Sequence, residues 1–543
     1  MIRMYKLGAA VIAAGLSLLP SVANAQASTQ FISAGSSALW QTAAIASWEL
    51  TGKLHHYTYK LTGTGVGVVD TRNTTNIAPA QGGLWIVWDS STAPTKIFAG
   101  VSLDSTVGNR LFLGTDTTGV PAGKLVLPAT TPAPGNLISV TWGVDDTSLP
   151  SAVIAAINAS PRLTAALTDI RPEDSAFATA RARAALGASV NDGSHNYDGL
   201  GYNGPLSGTP TKTNWVESAY STSAFQVVTF NTHGTDPISG ATVPPFTSYR
   251  VGVSPIILVD NRTNASGLGA LNSGGKYYFT NLTSANARTL WTGANCSTAA
   301  FAVSGAPTVP VTVNLREPLS GTYNTFEYQV INVPYTSTLA NQTSQENNVN
   351  PASATGNPLS QTCAAGSGIR ARAIGTGEMI NTAVLKTADS IGYAFFSFGN
   401  VSKIAGSTSY GYLTLNGVDP INATYSNGEL PTTGTISTLF SHVKDGTYAS
   451  WSDLRIITNN VSKNQTVAES LSAQIQSDIT SGAQLPDFVP FSSANLYRSH
   501  YSNGTYTNGS ASNGLAGGTE NGGDVNGCIE IGNTAPGTLN CRN

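Results

Sequence analysis

Charge is the scarcest property of this chain. Only 10% of its 543 residues are Asp, Glu, Lys or Arg, against roughly 25% in ordinary globular proteins. The formal net charge is −3. There is no basic surplus to draw nucleic acid, and no basic run to hold a membrane surface. Apolar runs are short as well. After the first twenty residues no stretch reaches the roughly 18 apolar residues of a membrane span. Cysteine is sparse, with four in all, and no C-x-x-C pair or adjacent His makes them a zinc site or a redox centre. No G-x-S-x-G nucleophile elbow is present. These absences remove nucleic-acid binding, integral membrane insertion and secreted hydrolase chemistry from the expected functions, and the expectation is a protein that binds rather than an enzyme.

What is abundant is Gly, at 56 residues, with Thr, Ser and Asn around it. With 41% hydrophobic residues the chain is long enough for more than one lobe. MIRMYK, LGAAVIAAGLSLLP and the small-x-small site Ala23-Asn24-Ala25 read as a secretory signal peptide cut near Ala25. The mature chain is expected to be periplasmic or secreted. That compartment permits disulfides. Of three possible pairings, Cys296–Cys363 and Cys528–Cys541 are expected.

Apolar patterning alternates between periods. FISAGSSALWQ reads as strand, turn, helix. GGLWIVWDS, TKIFAGVSLDS, NRLFLG and KLVLPA read as strands, which makes about 70–150 a β-rich insertion. PRLTAALTDIRPEDSAFATARARAAL reads as a return to helix, with Pro172, Glu173 and Asp174 suited to a first helical turn. SYRVGVSPIILVDN is a strand, VPVTVNLRE another and EYQVINV a candidate third, while TYNTFEYQV, opened by Ser320-Gly321-Thr322, also reads as a short helix. The expected class is α/β.

Three Ser/Thr-Gly turns close strands: Gly35-Ser36-Ser37, Gly63-Thr64-Gly65 and Ser320-Gly321-Thr322. Each is either a plain helix cap or a cradle whose main-chain N–H groups and hydroxyls hold an anion. The third lies four residues past Arg316, whose planar fork matches an oxyanion. His55-His56 are neighbours on a strand and point to opposite faces, which suits a surface pair rather than a metal site. The loop holding Asp192, His195, Asn196 and Asp198 lacks the spaced acids of a calcium loop. Trp85 and Trp88 are expected in the core.

REPLSGT, residues 316–322, resembles the R-x-D-G-S-G-T segment of phosphate-binding proteins of ABC importers. ISAGSSALWQ is similar to their G-A-G-[SA]-[ST]-F-P turn, YKLTGTGVG to their glycine-rich loop, and ALTDIRPED to their G-x-S-D-x-P turn. YRVGVSPIILVDN and GTGEMINTAVLKTADSIGYAFF resemble their crossover segments. Here Pro318, Leu319 and Ala38 replace the family's Asp, Gly and aromatic residue.

The resemblance implies a two-lobed periplasmic-binding-protein-like fold with ligand contacts from Ser37, Ala38, Thr64, Asp169, Arg316, Ser320, Gly321 and Thr322. It implies residues 26–255 and 393–543 in the first lobe, 256–392 in the second, and crossovers near Ser254-Pro255 and Gly392-Tyr393. It implies inorganic phosphate or a similar oxyanion as ligand, an ABC permease as partner, no cofactor and a monomer. Asp169 is alternatively a helix-start cap. A different expectation is an extracellular structural or interaction protein that keeps the fold and acts through its insertion and its Ser/Asn/Tyr-rich tail.

Overall fold

Alternation at period two with both faces apolar marks a central strand, and β1 (Thr29–Gly35) shows it. Phe31 enters one core cluster while Ile32 and Ala34 enter another. The computed structural model describes residues 29–61, 67–70, 75–77, 82–138, 142–160, 162–170, 172, 240–316, 320–331, 361–363, 367–373, 375–494, 528–532 and 539–541. These form a mixed α/β structure around a 16-stranded sheet, with a separate three-stranded sheet beside it. The expected signal peptide lies outside the described residues, as do the loop at 192–198 and most of the C-terminal tail.

After β1, the strands that position the site are β2 (His55–Lys60), β3 (Gly83–Trp88), β4 (Ile97–Ser102), β5 (Ala165–Thr168), β6 (Phe246–Asn261), β7 (Thr312–Arg316), β8 (Ile369–Ala373), β9 (Ser390–Phe395), β10 (Tyr410–Leu415) and β11 (Trp451–Asn459). Along the main path they run β8-β7-β9-β6-β11-β5-β1-β4-β3-β2, and β10 pairs with β6. The helices that matter are α1 (Trp40–Leu50), α2 (Ser105–Leu113), α3 (Gly321–Phe326), α4 (Gly375–Glu378) and α5 (Ser462–Ser481).

The β6 strand is buried over its whole length. Its first half pairs with β11 as far as Pro255↔Trp451, and its second half pairs with β9 from Ile256↔Phe395 onward. The partner changes at the proline, where the chain has no N–H to give a ladder. Ile256 N then donates to Ser450 O at 2.8 Å and Phe396 N to Pro255 O at 3.0 Å. The apolar clusters divide at the same place. Two line opposite faces of the sheet around β1, β3–β5 and β11, as in Phe31/Ile32, Trp85/Ile86 and Ile456/Ile457. The third gathers Ile256 to Val259, Trp291, Val313, Phe326 and Tyr393. On the opposite face from α2, α5 buries Ala468, Leu471, Ile475 and Ile479, at the three-to-four spacing of one helix face.

Several sequence expectations are corrected. NRLFLG is not a strand: it belongs to α2, where Val107 and Leu111 share the buried face. Of the segment read as a return to helix, Ala165–Thr168 is a strand, because β1 and β11 flank it on both sides, and residues 173–186 lie outside the described residues. Glu327–Ile331 is not a strand: α3 continues through it as a wider helical turn, in keeping with the helical reading of TYNTFEYQV. Within the block at 70–150, β3 and β4 join the main sheet beside β1. Only Gly67–Asp70, Thr75–Ile77 and Gly123–Val126 form the second sheet. Phe396, Phe398, Ile404, Phe440 and Tyr448 pack with residues 256–392, and the chain pairs with β6's first half from Trp451. Cys296 and Cys363 are bonded, with Cα atoms 5.6 Å apart. Cys528 stands opposite Cys541 in an antiparallel pair.

Candidate functional site

Parallel strands leave their carboxyl ends together, and loops there are where open α/β sheets take ligands. β1, β4 and β5 are parallel, so Gly35 ends beside Ser102 and Leu167. Gly35 has φ +141°, and a Cβ on it would lie 1.9 Å from Leu167 O, so only glycine fits. That approach lets Ser36 N donate to Leu167 O at 2.7 Å and Leu103 N to Gly35 O at 2.6 Å. The chain then turns through Ser37 and Ala38 into α1, and Ala38 N donates to Ser36 Oγ at 3.1 Å. Ala38 is half-buried and touches apolar clusters from both sides of the Pro255 switch.

Asp169 follows β5 and is 2% exposed. The Ser105 hydroxyl, at the start of α2, donates to Asp169 Oδ1. Asp169 N returns a bond to Ser105 Oγ at 3.3 Å. These bonds tie Asp169 to the turn between β4 and α2.

The second group sits at the ends of β7 and β8, parallel strands in register at Arg316↔Ala373. Arg316 is 2% exposed. Its Nη1 donates to Thr322 Oγ1 at 3.1 Å and to Thr376 Oγ1 at 3.2 Å. Its backbone N donates to the Tyr393 hydroxyl at 3.2 Å. Ser320 Oγ accepts from Tyr323 N at 3.4 Å, the capping position for α3.

One contact joins the two groups. A Cβ on Gly321 would lie 2.0 Å from Asp169 Oδ1 and 2.7 Å from Oδ2. The carboxylate therefore lies directly against the start of α3. Alongside, Thr325 Oγ1 donates to Ser452 Oγ at 3.3 Å, and the Ser452 hydroxyl donates to Asp169 O. Gln329 takes both backbone groups of Trp451, at 2.8 and 2.9 Å. One carboxylate, one guanidinium and several hydroxyls thus converge in a buried place, a donor-and-acceptor set suited to a small oxyanion that carries a proton.

Of the residues expected from sequence, Asp169, Arg316, Ser320, Gly321 and Thr322 lie together. Ser37 and Ala38 lie at the β1 turn beside Leu167, two residues before Asp169. Thr64 lies outside the described residues, as do 317–319, where the motif departs from the resembled pattern. Sequence reasoning missed Ser105, Thr376 and the Tyr393 hydroxyl. A Ser directly after a buried strand, as in VSLDS, was the available signal for Ser105.

The other constellations are structural. His55 stacks on Trp88 with centroids 5.3 Å apart and lies 3.4 Å from Asp146. His56 Nε2 bonds to Trp142 O at 2.7 Å, and burial lowers the pKa of that ring. Trp85 and Trp88 are core residues. Among the described residues there is no group of three His, Cys, Asp or Glu side chains placed to hold a metal, and no helix long and apolar enough to cross a membrane.

No protein-family model matches the chain, and no curated protein does. Solved structures do. One is a putative phosphate ABC transporter substrate-binding protein with bound phosphate from Clostridium perfringens, 16% identical over 44% of this chain and 71% of that one, with a TM-score of 0.26. An ABC-type phosphate transport receptor from Vibrio cholerae is 15% identical over 44% and 69%, at 0.24. A phosphate-binding protein from Stenotrophomonas maltophilia is 12% identical over 70% and 75%, at 0.30. Those names describe those proteins, and nothing about the ligand of this chain follows from them.

Proposed function

We propose that this is an exported solute-binding protein that captures an oxyanion, phosphate first among them, between two lobes and delivers it to an ABC importer. One lobe is built on β1–β5 and β11, the other on β7–β10, and the connecting passages are β6 at Pro255 and the chain at Trp451. The observation that carries this reading is the convergence of Asp169 with Gly321, beside Arg316 and Thr322. Three kinds of group meet there from distant parts of the chain: an acceptor, a cation and hydroxyl donors. A hydrogenphosphate gives its proton to the carboxylate and takes donors on its other oxygens. Sulfate has no proton to give, and an unpaired carboxylate facing it costs several kcal/mol. Closure of the lobes buries the anion and presents one closed surface to a permease. The ligand leaves chemically unchanged, and the protein works as a periplasmic or secreted monomer.

The test is a thermal-shift series on the purified mature protein with phosphate, arsenate, sulfate and molybdate, followed by calorimetry. Phosphate and arsenate are expected to raise the midpoint, since ligand at about 100 times Kd adds about 2.7 kcal/mol. Sulfate is expected to leave it in place. No shift with any of the four anions at millimolar concentration overturns the reading.

A further inference from the structure

We propose that Thr376 is a contact residue of this same anion site, contributed by a segment that the Arg316–Thr322 motif does not contain; the inference rests on the oxyanion reading above. Thr376 is 1% exposed and lies in the first turn after β8. The parallel register of β7 and β8 brings that turn beside the end of β7. Arg316 Nη1 sits between two hydroxyl oxygens, Thr322 Oγ1 at 3.1 Å and Thr376 Oγ1 at 3.2 Å.

A guanidinium Nη carries two protons. Nη1 spends both on these threonines. Each hydroxyl therefore acts as an acceptor toward the cation, and each has one proton of its own left to donate. Among the described residues, neither Thr322 nor Thr376 donates that proton to a neighbouring group. Two buried hydroxyls, each polarised by the same cation and each with an unspent proton, need an acceptor that brings lone pairs and no competing donor at that point. An oxygen of a tetrahedral oxyanion meets that need. The positive charge then reaches the anion through two O–H relays. Thr376 does two things in this arrangement: it fixes the plane of Arg316, and it turns its own O–H to the ligand.

The experiment compares Thr376→Val, which keeps the branched shape and loses the hydroxyl, with Thr376→Ser, which keeps the hydroxyl. Phosphate affinity is measured by calorimetry on the full mature protein, and the ligand-free melting midpoint is measured in parallel. Loss of a hydrogen bond to a charged partner predicts phosphate binding about 10- to 100-fold weaker in the valine variant. The ligand-free midpoint of the valine variant is expected to fall modestly, since Arg316 Nη1 loses one acceptor, and the serine variant is expected to melt and to bind nearly as wild type does. Thr376→Ala repeats the comparison if valine crowds the turn and lowers the midpoint further. A valine variant that binds phosphate as wild type does overturns the inference. So does a serine variant as weak as the valine, because packing rather than the hydroxyl would then be responsible. A wild-type protein that binds none of the four anions is a different result: it removes the oxyanion reading itself.

Discussion

The ends of β1, β4 and β5 and the ends of β7 and β8 are built alike and equipped differently. Each is a row of parallel strands opening into tight turns. The first row supplies Ser36, Ser37, Ser105 and the carboxylate of Asp169. The second supplies a guanidinium and the hydroxyls of Ser320, Thr322 and Thr376. Neither set alone makes a site for a protonated anion. The carboxylate alone repels it, and the guanidinium with hydroxyls alone takes any anion of suitable size. Selectivity on this reading comes from putting the two rows face to face, and the Asp169–Gly321 contact is where they meet.

The largest effect expected on that comparison comes from removing the cation. Arg316→Ala should weaken phosphate binding by about three orders of magnitude, or roughly 4 kcal/mol, the scale of breaking a buried charge pair. Calorimetry reads it directly, and unchanged affinity would mean that the second row does not hold the anion. A smaller effect tests the contact between the rows. In Gly321→Ala the new Cβ meets the Asp169 carboxylate at 2.0 Å. One row must give way, and overpacking of this kind costs about 2–3 kcal/mol. Urea titration should show the loss, with phosphate affinity falling in step. A variant as stable as wild type would mean that the two rows do not press on each other.

The second row was the more legible of the two. Arg316 and Ser320-Gly321-Thr322 lie within seven residues, so one short window carries their spacing. Asp169 was readable as a candidate, but its setting was not: ALTD is alanine- and leucine-rich, which favours helix locally, and strand geometry is imposed by β1 and β11 on either side. Ser105 was hidden for a related reason. Leu111, Phe112 and Leu113 are three consecutive apolar residues, which short-range periodicity cannot assign to strand or helix. All three are buried because α2 lies over the end of β1, with Gly108 against Gly35. Thr376 was hidden because it joins the site only through the pairing of β7 with β8, which no local pattern encodes. The passage near Pro255 was expected from the resemblance of YRVGVSPIILVDN, not from the chemistry of the residue itself. The packing of Phe396 to Tyr448 with residues 256–392 was not legible, because aromatic residues show where they pack only once the third cluster is assembled.

Stability should also differ across the junction when pH changes. Burial pushes the Asp487 carboxyl up to about 6 from 3.8, although Phe398 N at 2.8 Å and the Ser397 hydroxyl at 3.1 Å favour its ionised form. The folded protein thus holds this proton more tightly than the unfolded chain does. The stabilisation is fully present below about pH 4 and is lost as pH rises through about 6. The loss assigned to Asp487 is on the order of 3 kcal/mol. Burial and Glu49 likewise push Asp478 to about 6, with the same sign of slope. Asp487→Asn should remove its share and leave a shallower fall between pH 4 and 6, measured as urea midpoints across that range. An unchanged slope would place the titration elsewhere.

The smallest expected effect separates the junction from the rows it joins. Gln329, just past α3, donates to Trp451 O at 2.8 Å and accepts from Trp451 N at 2.9 Å. Trp451 is the residue where the chain returns to pair with the first half of β6. Gln329→Ala removes both bonds and touches none of the groups assigned to the anion, so it should cost about 1–2 kcal/mol of stability. If the rows move against each other at Trp451, these bonds favour the closed arrangement. The variant should then release phosphate faster in stopped-flow experiments, with association little changed. If stability falls but release stays as in wild type, Gln329 only braces the fold, and the motion that admits the anion lies elsewhere along β6.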